Sequence, residues 1–330
     1  MRVPIILPAL TLALATTAFA ANPPATAPAV MGTTQLDGQN AKIGQTFTIG
    51  KRDPINITLV SASYTTTRAL LGTLTIVPKA NEKLLVLRFT AHNPQKQDTD
   101  LYGLSFTAVD ALDVNFSNEQ TFVRAGTSTP FTGSIKPAQK VEVTAVIRVP
   151  ASGVVPKLIV QRDADPVLRY DLRGVVQKLP VPFADPKDAS GATALADGPA
   201  KMNVFYPVGR YDVKLEDVTF SGEAMNGRDA PSGKRLVLAT LTIKNAGADE
   251  DTPGSGRFWP ELVDADGEPV KYWLLAKGSR PEEATGRSLK PGEEYRVRLV
   301  FVAPQGVGLK SLVLREPNSH GLVFDLGGVK

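Results

Sequence analysis

Two histidines, His92 and His320, and no cysteine make up the soft metal ligands of this 330-residue chain. Zinc and copper centres are built from clustered imidazole and thiolate groups, so no such site is expected. His92 ends an alternating apolar run and His320 lies in the turn Asn318-Ser319-His320-Gly321. Both are expected to be solvated side chains, neither ligand nor base. Carboxylates cluster twice, as Asp249-Glu250-Asp251 and as Asp264 with Asp266. Paired carboxylates cleave glycosides and hard oxygen ligands hold calcium. An envelope glycan-acting enzyme using Asp and Glu, or a calcium-dependent adhesion module, is therefore the alternative to a purely binding role. A strand expected from about Phe258 to Val263, at ~3.3 Å per residue, would hold the clusters ~20 Å apart. Neither cluster has the spacing of an EF-hand loop, and solvated turns are the expectation. The sequence also lacks G-x-S-x-G, G-x-x-x-x-G-K-[ST] and S-x-x-K, the local signatures of common nucleophiles and phosphate loops. No catalytic residue, metal or cofactor is expected.

Aromatic residues offer the better candidates. Phe258-Trp259 and Tyr272-Trp273 contain both tryptophans of the chain. They fall on strands expected to be neighbours, beside the long 246–257 and 276–289 loops, and loops on a rigid scaffold commonly carry binding. Trp259, Tyr272 and Trp273 are the expected binding residues, because an outward indole or phenol can stack on a sugar or anchor a protein partner.

The elements that would position them are written twice. "SIKPAQKVEVTAVIRVP" at 134–150 returns as "SLKPGEEYRVRLVFVAP" at 288–304; "LLVLRFTAHN" at 84–93 returns as "LVLATLTIKN" at 236–245; Val109-Asp110-Ala111 and Tyr170-Asp171-Leu172 return as Val263-Asp264-Ala265 and Phe324-Asp325-Leu326. Blocks that keep their order at offsets of 152 to 154 residues indicate a duplicated domain. Within them the apolar period is two: Val141, Val143, Ala145 and Ile147 point one way, as do Tyr295, Val297, Leu299 and Phe301. Lys136-Pro137-Ala138 and Lys290-Pro291-Gly292 precede these strands as turns, with proline presetting the first central position. Ile55 to Val60 and Tyr211 to Phe220 are expected to lead each copy, and no segment has a helical period. In the repeat Phe258 matches Leu104 and Trp259 matches Ser105, so Phe258 should face the core and Trp259 the outside.

The ends and joints read differently. "MRVPIILPALTLALATTAFA" has one basic residue, an apolar run and an Ala-Phe-Ala end, the pattern of a cleaved secretory signal. Its run is shorter than the ~20 residues a spanning helix needs, and no integral membrane segment is expected in the mature chain. A net charge of +4 is too small for a nucleic-acid partner. The Pro and Ala-rich stretches after the leader and from Pro180 to Ala200 read as extended tethers. The expected organisation is a signal peptide at 1–20, a tether at 21–40, domain 1 at 41–180, a linker at 181–199 and domain 2 at 200–330. The fold expectation is all-β: two tandem immunoglobulin-like antiparallel β-sandwich domains.

"IGQTFTIGKRDPINITLVSASY", "KLLVLRFTAHN" and "AVDALD" in the first copy resemble the bacterial exported immunoglobulin-like domain of unknown function, of the immunoprotective extracellular type. "VGRYDVKLEDVTF" and "LVDADGEPV" in the second are similar to the same pattern. The resemblance implies an immunoglobulin-like sandwich in the periplasm, in the envelope or outside the cell, with no shared catalytic residues. Members are frequently lipid-anchored, and this chain has no cysteine to lipidate. The function expected is non-catalytic binding or scaffolding, with an envelope protein or polysaccharide as partner.

Overall fold

The computed structural model describes residues 36–225, 229–254, 256–277 and 287–329. The leader expected at 1–20 and most of the expected tether at 21–40 lie outside the described residues, as does most of the 276–289 loop. Every regular element described is a strand.

The alternation read from the sequence is what builds the first core. In Lys140–Pro150 the residues Val141, Val143, Ala145, Ile147 and Val149 are buried, and the strand pairs along its whole length with Glu82–His92, from Lys140 opposite His92 to Pro150 opposite Glu82. Ile55–Thr65 and Thr46–Ile49 continue this sheet on one side and Val123–Arg124 on the other. Facing it is a second sheet in the order Gly38–Ala41, Val167–Asp171, Lys157–Arg162, Leu104–Val109, Asn115–Ser117. The inner faces of both sheets meet in one apolar cluster around Phe89, Phe106 and Phe122, whose rings lie 4.7 to 6.0 Å apart. Each such phenyl contributes roughly 2–3 kcal/mol of burial. This is a β-sandwich.

The second core repeats the plan. Lys234–Asn245 pairs with Glu294–Pro304 and with Tyr211–Ser221. Asp197–Ala200, Gly321–Asp325, Leu309–Arg315 and Trp259–Asp264 form the facing layer. Here Pro269–Lys277 pairs first with Trp259–Asp264 and then with Glu294–Pro304, so it passes from one layer to the other and joins both into a nine-stranded sheet. Both copies place a bulge in the same strand, between Leu59 and Ser61 and between Leu215 and Asp217. Both also begin with an edge strand that runs parallel to its neighbour: Gly38–Ala41 along Val167–Asp171, and Asp197–Ala200 along Gly321–Asp325. Residues 38–40, expected in a tether from composition, are therefore part of a sheet, and the edge strand of the second core starts at Asp197.

The Pro180 to Ala200 stretch is not an extended tether either. Leu179, Ala192 and Ala194 are buried in the first core while Phe183 is buried in the second. Polar groups fix the path between these anchors. The Asp188 carboxylate accepts hydrogen bonds from the Ser190 hydroxyl and from the backbone N–H groups of Ser190 and Thr193, which hold its protonation well below the usual carboxylate range. Lys83, with none of its surface exposed, donates to the carbonyls of Ala151, Gly153 and Ala192. Few apolar residues are involved, and they gain burial only because two cores stand close by.

Direct contacts between the halves add to this. Arg68 donates from Nε to the Ala246 carbonyl at 3.0 Å and from Nη1 to the Gly209 and Tyr211 carbonyls at 3.0 and 3.1 Å, and it pairs with Asp212. The Ala80 N–H donates to the Asn318 carbonyl at 2.7 Å. A fork of planar donors saturated by one neighbour fixes orientation in a way a single point charge does not.

Candidate functional site

Trp259 opens the strand Trp259–Asp264, with Phe258 just before it. Phe258 is buried and stacks at 5.4 Å on Tyr211, whereas Trp259 is 59% exposed. Alternation from Leu262 and Pro260, both buried, turns Trp259, Glu261 and Val263 to the outer face of the layer. Opposite Trp259 in the ladder stands Arg315. Its guanidinium is held at 3.3 Å from Asp197 and 3.7 Å from Glu261. Gly321 lies between the Arg315 and Asp197 side chains: a Cβ there would fall 2.1 Å from an Asp197 carboxylate oxygen. The outer face thus carries an exposed indole and, next to it, a cation fixed by two carboxylates, all on strands and not on loops. Such a group can stack an apolar ring face and offer planar donors and acceptors around it.

Tyr272 and Trp273 are taken elsewhere. Pairing between the two aromatic-bearing strands stops at Leu262 opposite Val270, after which Pro269–Lys277 transfers to Glu294–Pro304. Tyr272 packs edge-on against Phe301 at 5.5 Å, and burial pushes its hydroxyl up to about 12. Trp273 sits at the register shift between Tyr272 and Leu274 and packs on the Met225, Leu236, Ala276 and Val300 cluster. The structure does not bring the three aromatic residues to one surface, because the strand that carries two of them changes sheet.

The acidic clusters have internal partners. Asp251 accepts the Tyr211 hydroxyl at 2.6 Å and pairs with Arg257 at 3.0 Å and Arg210 at 3.5 Å. Asp264 accepts the N–H groups of Asp266 and Glu268 and so closes its own turn. Among the described residues no three His, Cys, Asp or Glu side chains converge as a metal group.

The two histidines divide. His92 is partly exposed, and its Nδ1 lies 3.1 Å from the Asn56 amide nitrogen. His320 is only 3% exposed, which corrects the expectation of a solvated turn residue. Its first-copy counterpart is Pro166 in an open turn, but the second-copy turn packs against the start of the Glu82–His92 strand, through Lys79 opposite Ser319 and the His320 ring on Glu82. Sequence reading also missed Arg68 and Lys83. Both act on backbone carbonyls, which leave no trace in side-chain pattern.

No family model and no curated protein matches the chain. Among solved structures, it is similar to an uncharacterized beta-sandwich protein from Clostridium difficile 630, with 17% identity over 42% of this chain and 98% of that one, at a TM-score of 0.34. A secreted protein of Mycobacterium tuberculosis, MPT63, gives 16% identity over 38% and 95% of the two chains at a TM-score of 0.30. A putative lipoprotein from Bacillus subtilis gives 17% identity over 37% of this chain and 38% of that chain at 0.28.

Proposed function

We propose that the chain is an exported binding or scaffold protein of the cell envelope or extracellular space, built from two tandem immunoglobulin-like sandwiches of the immunoprotective extracellular type and acting by surface recognition without catalysis. The domain limits are those of the repeat, near 41–180 and 200–330, with each domain extended back to its edge strand, at 38 and at 197. The leader-like first twenty residues support export, and the absence of cysteine rules out lipidation at a cysteine as the means of attachment. The observation that carries the reading is the Trp259 indole, more than half exposed on a strand whose inner side is packed into the core. A large apolar ring costs free energy in water, and one fixed in place loses little entropy when a partner covers it. The partner is an envelope protein or polysaccharide.

Photo-crosslinking in intact cells, with the crosslinker at Glu261 beside the indole, followed by identification of the captured material, tests this. One envelope component is expected, and Trp259→Ala should reduce its capture at least tenfold while leaving the melting temperature within about 2 °C, as for an exposed residue. Undiminished capture by the variant would remove Trp259 from the site.

A further inference from the structure

The strand Tyr211–Ser221 is paired along one side with Lys234–Asn245. On its other side Tyr206–Val208 pairs with Tyr211–Val213 only, and the Asn203 N–H donates to the Leu215 carbonyl at 2.8 Å. The first copy takes the same steps, with Thr46–Ile49 along Ile55–Thr58 and the Gly44 N–H on the Leu59 carbonyl at 2.8 Å. There the edge is covered further. Past the bulge Gln177 lies parallel beside Ser63: its N–H donates to the Ala62 carbonyl at 2.9 Å, and its carbonyl accepts the Tyr64 N–H at 3.1 Å. Val176, just before it, packs on the first core. Tyr64 stands opposite Leu85 and Phe220 opposite Val237, and these two partners match in the repeat, so Ala62, Ser63 and Tyr64 correspond to Val218, Thr219 and Phe220. Among the described residues nothing takes the place of Gln177 beside them. After Asp325 the second copy turns instead toward Leu309, whose N–H donates to the Val329 carbonyl at 3.4 Å. Exposure records the difference: Ser63 is half-buried and Tyr64 buried, whereas Thr219 is exposed and Phe220 half-buried. The Arg235 guanidinium lies over the Phe220 ring at 3.2 Å. What is left open is backbone, the Val218 carbonyl and the Phe220 N–H, and an unpaired strand edge is a template for another strand.

We propose that residues 217–221 form a strand-addition site for an extended segment of a partner protein, running parallel to Tyr211–Ser221, with an apolar residue in the place of Val176 and a lysine or arginine beside Asp217. The first copy supplies the template for the backbone pairing and for the apolar residue that arrives with it. The charge comes from the second copy itself: Asp217 is the one charged residue of the open stretch and it is exposed, while Lys214, farther along, is taken up by Glu216 at 3.2 Å. The bulge between Leu215 and Asp217 does not close the edge, because the first copy has the same bulge and still receives Gln177. In strand addition the main-chain hydrogen bonds supply affinity and alternate side chains supply the choice of partner. The site lies in the layer facing the one that carries Trp259 and does not rest on that residue.

The probe is a synthetic peptide that copies residues 173–179 with Val175→Lys, titrated into the whole protein and followed by amide NMR. It should bind with a Kd of about 0.1–1 mM, and at saturation it should slow hydrogen exchange at the Phe220 N–H by about tenfold. A second peptide with proline in the place of Gln177 has no N–H for the Val218 carbonyl and should not bind, a comparison that leaves the protein itself unaltered. Asp217→Lys, at an exposed position, should weaken the first peptide about threefold and leave the melting temperature within about 2 °C. Equal binding of the proline peptide, binding that leaves Phe220 unprotected, or no saturation by about 5 mM would overturn the proposal. So would protection of the Phe220 N–H that grows with protein concentration in the absence of peptide, since a second copy of this chain would then fill the edge.

Discussion

In the first half Asn93 ends its strand and closes the loop that follows; in the second half Asn245 does the same with matching contacts. Each is fully buried. Asn93 donates from Nδ2 to the Gln97 and Ile135 carbonyls and accepts from the Gln95 N–H, at 2.7 to 2.8 Å; Asn245 donates to the Asp249 and Leu289 carbonyls and accepts from the Gly247 N–H, at 2.7 to 2.9 Å. Nearby, the halves part. Arg162 is buried at the end of Lys157–Arg162 and reaches Asp53 and Thr99, whereas the equivalent inward position after Leu309–Arg315 is Glu316, which meets the Arg210 N–H and Arg257. The two halves share the backbone-binding amide and differ in the sign of the charge beside it. A side chain that satisfies backbone groups has few replacements, while a buried charge can be exchanged if its partners change with it.

The amides offer the sharpest way to break the comparison. Asn93→Ala and Asn245→Ala each remove three hydrogen bonds at a buried site, although the Ile135 and Leu289 carbonyls keep one backbone donor each, from Thr99 and Asp251. Each should cost about 3 kcal/mol, read from the midpoint of urea unfolding. Equal losses would mean that both loops depend on their asparagine to the same degree. A loss in one variant alone would show that the other loop is held by different contacts.

The exchanged charges should respond to acid in opposite directions. Burial opposes the charge on Asp53, but hydrogen bonds from Thr99 and Gln95 and the Arg162 guanidinium prevail and hold the carboxyl below the usual range. Its contribution is complete above the unfolded value of about 3.9 and is lost as pH falls through the lower, folded one. Burial pushes the Glu316 carboxyl up, against the pull of the Arg210 N–H and the Arg210 and Arg257 charges. An acid raised on folding binds its proton more readily in the native state, so stability from this site grows as pH falls toward the unfolded value of about 4.3. Arg162→Met should cost about 2 kcal/mol at neutral pH and less below pH 4, where Asp53 no longer needs a partner. Glu316→Gln should stay within about 1 kcal/mol at neutral pH and flatten the pH dependence just above the unfolded value of about 4.3. Denaturant titrations at stepped pH measure both. Matching slopes in the two variants would dissolve the distinction.

What could be read in advance follows the same division. The core strands and the opposed directions of Phe258 and Trp259 were legible, because alternation and a second copy constrain them together. The shared asparagine was visible as a matched letter, but its role needed the loop contacts. The Pro180 to Ala200 segment misled because Phe183, Ala192 and Ala194 have no period and bury themselves against two separate cores. His320 and Arg68 were opaque for another reason: their partners are carbonyls more than a hundred residues away in the chain. The candidate surface was legible at Trp259 only, since no pattern announced that Pro269–Lys277 would change sheets and take Tyr272 and Trp273 with it.

The smallest expected effect lies in the turn before the central strand, where the copies differ by one residue in one conformation. Pro137 and Pro291 take the first central position, and the second is left-handed in both turns, with φ of 58° at Ala138 and 83° at Gly292. The turns close alike, Gln139 N–H to the Lys136 carbonyl and Glu293 N–H to the Lys290 carbonyl, both at 2.9 Å. Glycine enters this region without steric cost, whereas alanine pays about 1 kcal/mol for its Cβ. Ala138→Gly should therefore raise stability by about 0.5 kcal/mol once the extra freedom of glycine in the unfolded chain is subtracted. The reverse change, Gly292→Ala, should lower it by about the same 0.5 kcal/mol, although a Cβ at that position meets no atom within 4 Å. Because space is open there, any loss must come from the backbone angle. Opposite signs in paired melting curves would show that the first copy tolerates a strained turn that the second avoids, and a loss of stability in both would mean that the Ala138 methyl makes up for its strain in some other way.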